Sequence, residues 1–209
     1  MRVDRVKGDA WRITRERATA NKVKGMNEPA IPAAFREALL SLQRAPTRRD
    51  VRLLETPAPS RIAPFAVAVN GTVLPEHLET TGRFVVLHDP AGQDAWDGTF
   101  RVIALVQAQA DAEVGRDDMW ADVAWSWLDE ALTGVECGQI GGTVTKIVSR
   151  SFGQLAERDD TVAVELRVSW TPANANLEPH VVAWTELLAM CAGVPPAPEG
   201  ITVLPGGHA

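Results

Sequence analysis

Tyrosine is absent from this 209-residue chain and cysteine is scarce, Cys137 and Cys191 standing alone with no CxxC or CxxH spacing around either. Two distant thiols cannot make a disulfide framework or a zinc ribbon, so both read as small core residues in a reducing compartment. Long hydrophobic runs are missing as well: stretches such as Val102 to Val106 are far shorter than the roughly 20 apolar residues of a membrane helix. The N-terminal stretch is charged throughout and lacks the apolar segment of about 7 to 15 residues that marks a secretory signal. These absences point to a cytoplasmic protein with no membrane partner. GxGxxG, GK[ST] and GxSxG do not occur, leaving a phosphate cradle or a nucleophile elbow without support, and no cofactor is expected.

The charge is unevenly spread. Residues 1–25 hold eight Lys/Arg against three Asp/Glu, a net of +5, and residues 26–209 hold thirteen against twenty-four, a net of −11. An acidic body repels phosphate backbones, so no nucleic-acid partner is expected except through the basic arm. The organisation read from this is a basic, disordered arm over 1–25, a single globular domain over 26–200 and a flexible tail over 201–209.

Within the domain, Pro32 opens a helix carrying Phe35, Ala38, Leu39 and Leu42 on one face, and Pro46 closes it. Extended segments follow at 51–55 and 64–69, separated by a Pro-rich joint at 57–64, and then two runs near 83–88 and 99–109 joined by a loop rich in Pro, Gly and Asp. The second run is apolar on both faces, which predicts a central strand. Residues 117–132 form a second helix with Trp120, Val123, Ala124, Trp127, Leu128 and Ala131 on one face and Trp125 at its margin. Strands near 142–150 and 161–170 come next. In the latter, Val162, Val164, Leu166, Val168 and Trp170 alternate with Ala163, Glu165, Arg167 and Ser169, one face buried and one wet. A last helix spans 179–192. The fold class is therefore α+β: an antiparallel sheet of about five to six strands with three helices, a two-layer sandwich. The order resembles the secretion-chaperone-like fold, with an extra strand at 51–55.

The segments RLLETPAPSRIAPFAVAV, GRFVVLHDPAGQDAWDGTFR, WSWLDEAL, GTVTKIVSRSFGQLAERDD and VSWTP resemble an actinobacterial family of unknown function, the domain numbered three thousand, from about Phe35 to Gly200. The resemblance implies no activity, cofactor or catalytic residue. Through a ribonuclease D-like gene neighbour it implies an association with RNA processing.

Chemistry concentrates in the loop after residue 87. His88, Asp89, Asp94 and Asp97 lie within ten residues, a pattern that could bind a divalent ion or pair an imidazole with a carboxylate. Asp89-Pro90 and Asp97-Gly98 are also ordinary turn formers, which favours no metal and no assigned catalytic residue. An indole left in water is costly unless it meets something, so Trp96 in the loop and Trp125 on the helix margin join the candidate surface. The leading expectation is a non-enzymatic protein-binding or adaptor module that holds an unidentified protein partner on the 88–98 loop and an adjacent sheet or helix face, through His88, Asp89, Asp94, Trp96, Asp97 and Trp125. The alternatives are an enzyme built around His88 and Asp89, and an RNA-processing accessory protein that uses the basic arm.

Overall fold

The computed structural model describes residues 30–46, 48–110 and 119–195. The basic arm, the terminal tail and Asp117 and Asp118 at the expected start of the second helix lie outside the described residues. Pro32 stands immediately before α1 (Ala33–Arg44), and its carbonyl takes the Arg36 N–H at 3.0 Å. Phe35, Ala38 and Leu42 are buried, as the 3–4–7 spacing predicts.

Six strands form one sheet in the order β1-β2-β3-β4-β6-β5, every neighbouring pair antiparallel. They are β1 (Val51–Thr56), β2 (Phe65–Val73), β3 (Thr81–Gln93), β4 (Gly98–Ala110), β5 (Cys137–Ser149) and β6 (Thr161–Pro172). β4, apolar on both faces, is internal. β6 follows β5 in sequence but inserts between β4 and β5, and the reason lies in the side chains. The apolar alternation of β6 has five large residues to bury, whereas β5 carries Gly138, Gly141 and Gly142, which contribute no side chain to pack. The glycine-bearing strand is left at the edge.

Helices α1, α2 (Trp120–Ala131) and α3 (Glu178–Cys191) cover one face and enclose the main core. α3 lies close because Gly71 and Gly82 leave room: a Cβ at either would come within 2.8 Å of Leu188. Trp170 donates its indole N–H to Nδ1 of the buried His180 at 2.9 Å, joining β6 to the same helix. The Ser41 hydroxyl accepts the Leu177 N–H at 2.8 Å and so ties α1 to the start of α3. Arg48 bridges Asp50 at 2.6 Å and Glu186 at 2.5 Å, holding the start of β1 against α3. α2 departs from its helical wheel. Only Ala124 and Leu128 are buried, Trp120 and Trp127 are half-buried edge-on at 5.9 Å, and Val123 is exposed, because the helix lies at the margin of its layer rather than over the centre. No helix among the described residues is long and apolar enough to cross a membrane.

The opposite face carries a second, smaller core. Ala66, Ala68, Val85 and Leu87 project from β2 and β3 and are covered by Ala63 and Trp96, with Ala58 and Ile103 packed at the border.

Candidate functional site

The structure separates the six residues expected to form one surface. His88 is 2 % exposed and belongs to the core. Strand alternation puts it on the helix side with Phe84 and Val86, directly across from Phe100, whose ring stacks on it at 4.2 Å, while Phe35 lies nearly parallel at 5.8 Å. Its Nδ1 donates to the Thr99 carbonyl at 3.0 Å, and its buried Nε2 has no hydrogen-bond partner among the described residues. Burial holds the imidazole below its ordinary pKa and therefore neutral. His88 is thus neither a surface group nor placed as an acid–base partner of Asp89.

Trp96 is corrected likewise. It is 8 % exposed, because the β3–β4 turn folds its indole back onto the outer face of the sheet in the second core. Its carbonyl accepts the Thr171 hydroxyl at 2.5 Å, fixing the turn to β6. The Asp89 carboxylate serves its own loop, accepting from Ala91 N–H at 3.0 Å and Gln93 Nε2 at 3.2 Å. Trp125 is half-buried against the main core. Only Asp94 and Asp97 stand exposed, and among the described residues no three His, Cys, Asp or Glu gather as a metal-binding group.

What the turn does build is one wall of a cleft of about 550 Å³ at the end of the sheet. Asp97 and Thr99 line one side, Gln139 and Asn174 the other, with apolar surface from Ala34 and Pro172. Asp97, at φ +54°, accepts from Gln139 Nε2 at 3.4 Å across the opening. Arg101 braces the same corner from the outer face, reaching over β6 to donate to Ser169 Oγ at 2.7 Å, Thr171 Oγ1 at 3.0 Å and the Gln139 carbonyl at 2.9 Å. Desolvation lowers the pKa of this guanidinium, and these three acceptors are all neutral oxygens.

Gln139 and Gly138 also begin β5, and the cleft runs into that strand. β5 is bonded to β6 on one side, and no described strand pairs with its outer edge. Its register shifts between Gly138 and Gly141, then pairs regularly to Ser149. Along and just beyond it, Ile140, Ile147, Val148, Phe152 and Leu155 are exposed, Phe152 at 75 %. None of these was singled out in the sequence. The signal that could have found them is the near absence of charge: Lys146 is the only charged residue in β5.

No curated protein and no solved structure matches the chain. A family model does, over residues 31–202, a stretch that takes in every helix and strand described above and carries the description "Protein of unknown function (DUF3000)". The chain belongs to that family.

Proposed function

We propose that the protein is a non-enzymatic binding module that takes a protein partner along the outer edge of β5. The observation that carries this reading is an open strand edge 13 residues long with exposed apolar side chains on both of its faces, Ile147 on the outer face and Val148 on the helix side, Ile140 exposed at the bulge and Phe152 and Leu155 just past its end. Open edges usually carry several charges, a proline or a covering segment, because their free N–H and C=O groups invite pairing. β5 offers one lysine and one bulge. A partner strand laid against it satisfies the backbone groups and can pack its own side chains beside Ile147 on one face and Val148 on the other. The surface moves from the 88–98 loop, whose aromatic residues serve the core, to the neighbouring strand. The enzyme reading loses its imidazole to an aromatic cage, and the RNA reading rests on an arm outside the described residues.

The reading is tested by placing a photo-crosslinking amino acid at Ile147, and separately at the exposed Leu40 on α1, in cells that make the protein naturally. A discrete protein adduct from position 147 and none from position 40 is expected. No adduct at 147, or the same adducts from both, overturns it.

A further inference from the structure

β5 is self-complementary about its own middle. Its regular stretch runs from Gly141 to Ser149 and centres on Thr145. In an antiparallel pairing with a second copy about a two-fold axis at Thr145, residue by residue, Val148 meets Gly142, Ser149 meets Gly141 and Ile147 meets Thr143. Large side chains of one half thus fall on small ones of the other. Lys146 meets Val144, so no like charges face each other.

The same axis relates two features outside the regular stretch. Gly138, in the lining of the cleft, lies seven residues before Thr145, and the exposed Phe152 lies seven residues after it. At about 3.3 Å per residue Gly138 lies about 23 Å from the axis, less the shortening at the bulge, and the strand's other end at Ser149 lies about 13 Å from it, with Arg150 and Ser151 leading on to Phe152 in extended backbone at φ −136° and ψ 165°. Gly138 has nothing within 4 Å of where a Cβ would stand, so the floor there is open. A phenyl ring needs a partly apolar recess, and the cleft supplies Ala34, Phe100, Pro172 and Ala175.

We propose that two copies of this chain pair β5 to β5 about a two-fold axis near Thr145, joining their sheets into one of twelve strands and seating Phe152 of each copy in the cleft of the other at Gly138 and Gln139. This rests on the strand-addition reading above and names its partner. The surface is of adequate size. The 13 residues of β5, the segment to Leu155 and the cleft lining approach the roughly 20 to 30 residues that a stable interface uses on each side. Because the pairing is isologous, each copy gives one ring and receives one, and the assembly closes at two.

The test uses the full chain in sedimentation equilibrium. The wild type is expected to be a dimer at about 10 µM, a concentration that ordinary specific interfaces saturate. Thr145 is exposed and sits on the axis, so it meets its own counterpart. Thr145→Glu and Thr145→Lys are each expected to weaken the dimer at least about tenfold, and a one-to-one mixture of the two to restore it, since only the mixture puts opposite charges face to face across the axis, whatever each makes of the Glu165 opposite residue 145 in its own chain. Phe152→Ala is expected to weaken it about tenfold with an unchanged circular dichroism spectrum. A monomeric wild type at about 100 µM, or a mixture no more dimeric than its components, overturns the proposal. If that happens while Ile147 still crosslinks to a different protein, the binding module stands and self-pairing falls. If Ile147 gives no adduct either, both fall.

Discussion

His180 shows how a single buried residue sets a pH limit. Its Nδ1 accepts the Trp170 indole N–H, a role open only to the unprotonated nitrogen, and burial lowers its pKa from 6.5 to about 4. Below pH 6.5 the unfolded chain binds a proton that the native state refuses, so stability falls as pH drops from about 6.5 to about 4 and levels off beneath that. The gap corresponds to about 3 kcal/mol. His88, shifted the same way by burial, adds to the slope. Asp50 and Glu165 are held below their ordinary pKa by hydrogen bonds from Arg48 and Arg167, so their stabilisation is lost only at lower pH, as it falls through their depressed values. Urea denaturation at pH 7 and pH 4.5 should therefore show a loss of about 2 to 3 kcal/mol in the wild type, and His180→Gln should remove most of the dependence in that window. An unaltered dependence in the variant would place its source elsewhere. Neither burial was legible residue by residue. His88 ends an apolar run in the sequence, but that Phe35, far away in the chain, would stack on it depends on where α1 docks. Trp96 reads as a loop residue because the small apolar patch it covers is assembled from Ala66 and Ala68 on β2 and Val85 and Leu87 on β3.

At the scale of elements, period and punctuation decide most of what can be read. Pro32 and Pro46 bracket α1, and the alternation of Val162 through Trp170 gives both the span and the buried face of β6. That face makes a sharp expectation. Leu166→Asp buries an unpaired carboxylate among core residues and should cost about 3 to 5 kcal/mol in chemical denaturation. Arg167→Gln, one residue along on the wet face, breaks only the ion pair to Glu165 of an arginine whose side chain is 68 % exposed and should cost at most about 1 kcal/mol. Equal losses would mean the strand is turned the other way. β5 resisted the same treatment at its beginning. Cys137 to Gly142 contains three glycines and no alternation, and the strand forms there because β6 supplies a partner, not because the residues prefer it. In α2 the wheel is correct for Ala124 and Leu128 and wrong for Val123, since a helix at the margin of a layer buries a narrower stripe than one at its centre.

At the scale of the molecule, the strand order is what the chain conceals, and function depends on it. Propensity and alternation yield six strands and three helices, but only the long-range pairing of β4 with β6 pushes β5 to the edge and brings its glycine-rich start beside the β3–β4 turn to form the cleft. Charge supplies a last discriminating test. The chain carries a formal net charge of −6, so two copies repel each other over distance, and a contact made of backbone hydrogen bonds and apolar side chains gains when that repulsion is screened. Raising the salt from about 50 mM to about 500 mM shortens the screening length from about 14 Å to about 4 Å and should tighten the dimer by about threefold, as read from its dissociation constant. A partner held instead by carboxylates on basic side chains of this chain would behave oppositely, because screening weakens attraction between unlike charges. Association that weakens with salt would therefore count against pairing between copies and in favour of an acidic strand from another protein, laid along the same edge.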